Sequence, residues 1–248
     1  MSEMDRAIEA IRRHKPRRIV AFTGAGVSAD SGIPTFRGPG GLWRDFRAED
    51  LATPEAFARD PDLVWQWYEW RRDLIRKAQP NAAHIAIAEL PNTTVVTQNV
   101  DGLHARAGAG DIIELHGNIF RVRCVREGTT SVCDDPLDKL PPHCRCGALL
   151  RPDVVWFGEL LPEDALARAS VAIIGADLLL VIGTSGVVYP AAGLVSLARG
   201  ISIEVNPEVS SACMFRVAGR AAEEVPVIAN AVRSSGFGVR SSEDKDGY

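Results

Sequence analysis

The sequence predicts an α/β fold, a doubly wound and mostly parallel sheet that carries a smaller inserted module. Short apolar runs rich in β-branched residues alternate along the chain with stretches of helical periodicity, the pattern of a parallel sheet covered by helices. A glycine-rich turn follows the first of these runs. A Trp-rich helical stretch and a Cys-containing stretch break the alternation, and we assign both to the module.

The elements follow from the amino terminus. Met4, Ala7, Ile8 and Ile11 recur at helical spacing, and the β-branched run at 18–23 predicts a buried strand that ends at Gly24. Further buried strands are predicted at 94–97, 112–115, 178–182 and 201–205, and helices at 163–174 and 190–198.

The two stretches that interrupt the alternation of strands and helices divide the chain into a sheet part and a module. We predict one domain over residues 1–240, with a polar, disordered tail at 241–248. The sheet part takes about 1–38, 82–120 and 151–240, and the helical and zinc-ribbon-like module takes about 39–81 and 121–150.

Composition limits the classes of function. A chain of 248 residues can bury one large core together with a small module. Its formal net charge of −4 disfavours a general binder of phosphate backbones, so we expect no direct nucleic acid partner. No apolar run is long enough to cross a bilayer, and residues 1–13 are charged and lack a signal-peptide core. We therefore expect no membrane association and a cytoplasmic location.

The turn after the first strand has the pattern of a dinucleotide site. Residues 24–29 fit G-x-G-x-x-G/A, in which small residues let backbone N–H groups approach a pyrophosphate. A plain strand-to-helix turn is the alternative. No acidic residue ends a second strand about 20 positions later, which disfavours an ordinary dehydrogenase. The loop formers at 30–38 include Phe36 and Arg37 and could fold over a bound dinucleotide.

Polar residues follow two of the predicted strands at the edge where α/β sheets bind ligands. Gln98, Asn99 and Asp101 come directly after one strand, and His116 follows another. An imidazole there could serve as a general base, although a hydrogen-bonded structural histidine and an Asx-type turn are the alternatives. His84 and His104 are interpreted as structural.

Two further segments indicate a substrate site. Tyr68 and Arg71 lie three residues apart in a predicted helix, so they share a face and could together bind a carboxylate. The alternative is a solvated Arg beside a half-buried Tyr. The segment 153–159, with Val155 and Phe157, suits an exposed edge that pairs with a peptide, or else a core strand.

Four of the five cysteines lie close together in sequence, which indicates metal binding more than disulfides. Zinc could be held by Cys124, Cys133, Cys144 and Cys146, or His143 or Asp134 could replace one of them. A metal-free module packed by its own apolar residues is the alternative.

Taken together, these strings resemble the signatures of the sirtuins. The resemblance runs from about Ile19 to Pro226 and includes, in the family's order, GAGVSADSGIPTFRG, TQNVDGLH, ELHG, DVVWFGE, GTS and NPE. It implies a Rossmann-type domain, a small module, and a cleft that binds NAD and an extended acyl-lysine peptide. Sirtuins usually hold zinc with two Cys-x-x-Cys pairs. Here Glu127 stands at the partner position of Cys124, and the second pair is contracted to Cys144-Arg145-Cys146.

The resemblance also implies roles for individual residues. His116 and Asn99 are the catalytic residues, and the acyl-lysine contacts are Val155 and Phe157. The NAD contacts are Gly24, Ala25, Gly26, Ser28, Ala29, Asp30, Ile33, Thr35, Phe36, Arg37, Gln98, Asn99, Asp101, Gly183, Thr184, Ser185, Asn206, Pro207, Glu208 and Ala221.

The activity implied is NAD-dependent removal of acyl groups from lysine, with nicotinamide and O-acyl-ADP-ribose as products. Sirtuins that remove succinyl, malonyl or glutaryl groups carry Tyr-x-x-Arg, which Tyr68 and Arg71 match, so we expect these groups to be removed more efficiently than acetyl. A mono-ADP-ribosyltransferase and a non-catalytic module that binds NAD or acyl-lysine are the alternatives. The partners expected are NAD and acyl-lysine-bearing proteins or peptides, and one structural zinc.

Overall fold

A computed structural model describes residues 1–34, 46–184, 191–208 and 213–236. In these ranges the strands are β1 (Ile19–Thr23), β2 (Thr93–Thr97), β3 (Asp111–Glu114), β4 (Gly117–Cys124), β5 (Thr130–Val132), β6 (Leu150–Val154), β7 (Leu178–Ile182), β8 (Ile201–Asn206) and β9 (Phe215–Ala218). The helices are α1 (Glu3–His14), α2 (Ala48–Leu51), α3 (Pro54–Arg59), α4 (Pro61–Lys77), α5 (Ala82–Ala88), α6 (Leu103–Arg106), α7 (Glu163–Gly175) and α8 (Ala221–Ser234). Short 3-10 helices cover Ala25–Ser31 and Ala191–Leu197. The predicted tail at 241–248 lies outside the described residues.

Six of the described strands form one parallel sheet in the order β3-β2-β1-β7-β8-β9. The chain builds outward from β1 in one direction and then returns to build outward from β7 in the other. The carboxyl ends of β1 and β7 therefore flank the switch point of the sheet, where a crevice opens. The predicted doubly wound parallel sheet is confirmed.

Helices cover both faces of this sheet. On β1, Ile19 and Ala21 pack into a core shared with α1, α5 and α8. The alternate residues Val20 and Phe22 pack on the opposite face, against α7. Successive side chains of a strand point to opposite faces, so a central strand covered on both sides needs an unbroken apolar run.

A separate module packs beside the sheet. The helices α2, α3 and α4 share a third core with β4 and β6, which includes Trp65 and Trp67, each 1 % exposed. Helix α4 begins at Pro61 behind an Asp60 cap that accepts the Leu63 N–H at 2.9 Å. The antiparallel sheet β5-β4-β6 completes the module.

The module sheet extends beyond residues 121–150 on both sides, from Gly117 to Val154. Gly117 has a φ of 77°, and a side chain there would collide with the Asp153 backbone oxygen. Only glycine fits this close approach of β4 and β6. The module sheet therefore begins one residue after His116.

Two predicted elements differ in kind. The helix expected at 190–198 is a 3-10 helix over Ala191–Leu197, a segment that contains Gly193 and Val195, both poor helix formers. The glycine turn also leads into a 3-10 helix, Ala25–Ser31, whose C-cap is Gly32 with a φ of 80°. In the described part of the chain, no helix is both long and apolar enough to cross a bilayer.

Candidate active site

Two glycine loops meet at the carboxyl ends of β1 and β7. Gly26 donates its N–H to the Gly183 oxygen at 2.8 Å, and Gly24 donates to the Ile182 oxygen at 3.0 Å. A methyl group on Gly26 would lie 2.6 Å from the Gly183 Cα, and one on Gly24 would lie 2.8 Å from the Gly183 oxygen. The two backbones touch, so side chains are excluded from this floor of the crevice.

Asn99 ties the glycine turn to the end of β2. Its Nδ2 donates to the Gly24 oxygen at 3.1 Å and lies 3.2 Å from Ser28 Oγ, which donates to Asp101 Oδ2 at 2.7 Å. All three side chains are at least nine-tenths buried. Burial raises the pKa of Asp101, and hydrogen bonds from the Leu103 N–H and Ser28 oppose that effect. The result is an amide and a carboxyl group that are buried and held in a fixed orientation.

His116 follows β3 and is held by the end of β2. Its Nδ1 lies 2.8 Å from the Gln98 backbone oxygen. A carbonyl only accepts, so Nδ1 carries the hydrogen and Nε2 keeps its lone pair. Burial lowers the pKa of His116 below its ordinary value of 6.5. The imidazole is therefore neutral at pH 7 and able to accept a proton at Nε2.

Gln98 also connects this group to the far half of the sheet. Its Nε2 lies 3.3 Å from Thr184 Oγ1, and Asn206 Nδ2 donates to the Thr184 oxygen at 2.9 Å. Thr184 follows β7 and Asn206 ends β8, with the exposed Pro207 and Glu208 directly after it. The ends of β2, β7 and β8 thus meet in one crevice.

Other predicted NAD contacts lie at the edge of this group. The Asp30 carboxylate accepts from the Arg220 guanidinium and from the Ala222 N–H at 3.4 Å, next to Ala221 at the start of α8. Ile33 is buried in the module core. Ala25 is half-buried and Ala29 is exposed. Thr35, Phe36, Arg37 and Ser185 lie outside the described residues.

The two histidines interpreted as structural form the layer beneath the crevice. His84 Nε2 lies 3.4 Å from Ser28 Oγ, and His104 Nε2 lies 3.0 Å from Thr23 Oγ1. Their rings are 4.8 Å apart. Burial lowers the pKa of His84 to about 4, and burial together with His84 lowers the pKa of His104 to about 3. Both rings are neutral in the folded protein at pH 7.

Tyr68 and Arg71 lie on one face of α4 and are buried, with 3 % and 7 % of their surface exposed. The Tyr68 hydroxyl accepts a hydrogen bond from Trp156 Nε1 at 2.8 Å. Burial raises the pKa of Tyr68, so the phenol keeps its hydrogen. The Arg71 guanidinium lies over the Trp67 ring at 5.4 Å. Burial lowers the pKa of Arg71, and the nearby Tyr68 and Asp101 oppose that effect. The alternative of a solvated Arg71 is wrong.

The segment around Val155 and Phe157 differs from a simple pairing edge. Val155 donates its N–H to the His116 oxygen at 2.9 Å, and Phe157 donates to the Ala52 oxygen at 2.9 Å. The Trp156 N–H is likewise bound, to Glu159 Oε2 at 2.8 Å. A peptide could therefore pair here only through carbonyl groups. The Phe157 side chain is 45 % exposed. Trp156, which lies between them, was not named as a site residue from the sequence, yet its indole N–H donates to the Tyr68 hydroxyl at 2.8 Å.

The cysteine cluster departs from the predicted ligand set. The potential ligand atoms of Cys124, Glu127, Cys144 and Cys146 all lie within 4.8 Å of one another. Cys133 is not among them, which corrects our expectation. Its sulfur lies 3.5 Å from the Arg72 guanidinium, and its N–H donates to the Phe120 oxygen at 2.8 Å. The pairing of Cys133 with β4 turns it toward the helix α4.

The chain is similar to known proteins over most of its length. The model of the Sir2 family matches residues 24–190. An NAD-dependent protein deacylase 2 of Pyrobaculum aerophilum is 53 % identical over 229 residues, which is 88 % of this chain and 92 % of that protein. An NAD-dependent protein deacylase of Aquifex aeolicus is 58 % identical over 199 residues, covering 77 % of this chain and 83 % of that protein.

Solved structures show the same likeness. The crystal structure of a Sir2 homologue with NAD has a TM-score of 0.86 at 44 % identity and covers 93 % of this chain and 94 % of its own. A complex of Sir2 with a p53 peptide and NAD⁺ has a TM-score of 0.77 at 32 % identity and covers 96 % of this chain and 98 % of its own.

Proposed function

Because the chain belongs to the Sir2 family, we propose that it is an NAD-dependent protein-lysine deacylase whose acyl pocket favours groups that end in a carboxylate. One observation supports the catalytic assignment above all others. Gln98 holds the imidazole of His116, while the next residue, Asn99, holds the glycine turn at Gly24. Two consecutive residues, Gln98 and Asn99, thereby hold the proposed general base and the proposed phosphate-binding turn next to each other.

The residues of the crevice fit a dinucleotide. Gly24 and Gly26 pack against the Gly183 loop, where any Cβ would collide, so the turn keeps the tight G-x-G-x-x-A form that is typical of pyrophosphate-binding turns. Asn99 and Asp101 would hold the nicotinamide end, and Thr184 and Asn206 the adenosine end. When bound, NAD supplies a ribose carbon that becomes electrophilic as its bond to nicotinamide breaks.

His116 then acts on the ribose. Its Nε2 is the nitrogen left with a lone pair, and the lowered pKa keeps the ring neutral at pH 7. We assign to it the removal of a proton from a ribose hydroxyl after the acyl oxygen has attacked. General base catalysis of this kind contributes about 10²- to 10⁴-fold.

The acyl preference rests on Tyr68 and Arg71. Trp156 donates to the Tyr68 oxygen, so the Tyr68 hydrogen is available for a further acceptor. Arg71 adds a buried guanidinium one turn along the same helix. A terminal carboxylate on the acyl group would receive charge-assisted hydrogen bonds from both, whereas an acetyl group would receive none. Succinyl, malonyl and glutaryl-lysine are the substrates proposed, with acetyl-lysine a weaker one.

The test is NAD-dependent turnover of one peptide that carries each acyl group on the same lysine. We expect kcat/KM to be higher for succinyl than for acetyl. Arg71→Met should lower the succinyl-to-acetyl ratio by about tenfold to a hundredfold, the worth of hydrogen bonds to a charged group. Lys77→Met, which removes an exposed cation from the same helix, is the matched control and should leave the ratio unchanged.

The reaction products test the deacylase assignment separately from the preference for acidic acyl groups. O-acyl-ADP-ribose in the mass spectrum supports deacylation, and ADP-ribose attached to protein would favour the transferase instead. Equal efficiencies on succinyl and acetyl peptides, with O-acyl-ADP-ribose formed from both, would refute the acyl preference alone.

A further inference from the structure

Two turns of the module have similar backbone hydrogen bonds, and each carries two of the potential metal ligands. In the first, Cys124 donates its N–H to the Thr129 oxygen at 2.9 Å, and Gly128 donates back to the Cys124 oxygen at 2.9 Å. In the second, Cys144 donates its N–H to the Ala148 oxygen at 2.8 Å, and Gly147 donates back to the Cys144 oxygen at 2.9 Å. Gly128 and Gly147 both have positive φ, 67° and 82°. Each turn is thus a closed loop that begins at a cysteine and ends at a left-handed glycine.

In both turns, the side chain of the residue directly before the glycine belongs to the cluster of potential metal ligands. This residue is Cys146 in the second turn and Glu127 in the first. Cys124 Sγ lies 3.5 Å from Cys146 Sγ, and Cys144 Sγ lies 3.8 Å from Glu127 Oε2. A tetrahedral zinc with Zn–S of about 2.3 Å and Zn–O of about 2.0 Å has edges of about 3.5 to 3.8 Å. Two of the six ligand spacings are therefore close to the edges of such a tetrahedron, and all four ligand atoms lie within 4.8 Å of one another.

Cys133 is held elsewhere by the same module. Its backbone oxygen accepts from Arg72, a guanidinium with a fully buried side chain that also pairs with Glu69 at 3.0 Å. Its sulfur faces the same guanidinium. To reach the cluster, Cys133 would have to give up both of its contacts with the buried Arg72 guanidinium, which is costly.

We propose that this protein holds zinc with Cys124, Cys144, Cys146 and the carboxylate of Glu127, and that Cys133 takes no part. Three thiolates and one carboxylate carry the same charge as four thiolates, so the ion is neutralised equally. The carboxylate is the harder ligand and binds soft cations less well than a thiolate does.

Cobalt tests the ligand set directly, in full-length protein produced in medium with Co²⁺ in place of zinc. The absorbance of thiolate-to-cobalt charge transfer grows with the number of sulfurs bound. Glu127→Cys should raise that absorbance per cobalt by about a third, because a fourth thiolate joins three. Cys133→Ser should leave it unchanged, as should Asp138→Asn, the control at an exposed acid of the same loop.

Chelator competition with bound zinc provides the second measurement. Loss of an outer-shell partner already weakens metal binding by about 10- to 100-fold, so Glu127→Gln should weaken it at least as much. The proposal is overturned if Glu127→Cys leaves the cobalt spectrum unchanged, if Cys133→Ser lowers it, or if the unaltered protein binds neither metal. The Glu127→Cys experiment looks for an increase in cobalt absorbance, so it still tests the proposal if the Glu127→Gln variant folds poorly.

Discussion

The Nδ1 atom of His116 lies 2.8 Å from the backbone oxygen of Gln98, so the orientation of the imidazole is set by the segment after β2 that also carries Asn99. The predicted consequence is a displaced pH profile. The pKa of His116 is lowered from 6.5, and the base works when it is neutral. Activity should therefore persist below pH 6.5 and fall only as pH drops through the lowered pKa. The acid limb of kcat/KM, which reports the free enzyme, measures this. A midpoint at 6.5 or above would contradict it.

His84 and His104 should make folding stability depend on pH. Their pKa values in the folded protein, about 4 and about 3, lie below the 6.5 expected of the unfolded chain. Below pH 6.5 the unfolded chain therefore binds more protons, so their contribution is complete above that pH and is lost as pH falls towards 4. Each histidine should contribute a slope of up to about 1.4 kcal/mol per pH unit.

Urea unfolding at several pH values between 7.5 and 5 measures that slope. His104→Gln should flatten it, since one buried neutral imidazole is removed. His14→Gln is the control, because His14 is exposed in the last turn of α1, and it should not change the slope. An equal slope in both variants would refute the assignment.

Gly26→Ala should impair both stability and NAD binding. The added methyl group would lie 2.6 Å from the Gly183 Cα, so the two glycine loops must separate. Overpacking of this kind costs about 1–3 kcal/mol, and the KM for NAD should rise. Gly110→Ala has open space around the added methyl group and serves as the control. Unchanged KM and stability in Gly26→Ala would show that the loops yield freely.

Tyr68 and Trp156 should be coupled in stability. Tyr68→Phe leaves the buried Trp156 Nε1 without the acceptor it has at 2.8 Å, at a cost of about 1–3 kcal/mol. In a Trp156→Phe background the same change should cost much less, because no donor is left unsatisfied. A double-mutant cycle from denaturant unfolding gives the coupling. Additive losses would mean that the bond does not contribute.

Much of the site could be predicted because short-range chemistry dictates it. Residues 19–23 form a mostly apolar run that is typical of the middle of a covered sheet, and the glycines that follow permit a tight turn. Gln98, Asn99 and His116 follow strands, and the ends of parallel strands necessarily share an edge. Helix α8 was not predicted from the sequence, and Pro226 lies within it, a residue that is disfavoured in helix interiors, so tertiary packing stabilises this helix.

Two residues show what sequence spacing leaves undecided. Cys133 was expected in the metal cluster because of its residue type and position, yet its pairing with β4 turns it to Arg72. Glu127 was noted only as the residue where a cysteine was expected. Its carboxylate enters the cluster because Gly128 closes the turn in the same way as Gly147 does opposite.

The sequence by itself determined the alternation of strands and helices, the glycine turn, the family signatures and the position of His116 at a strand end, because these depend on periodicity and on residues close together in the chain. Only the tertiary structure decided the tautomer of His116, the burial of Arg71 and the composition of the metal cluster. Each of these depends on partners distant in sequence, and their distances are fixed only when the sheet and the module pack.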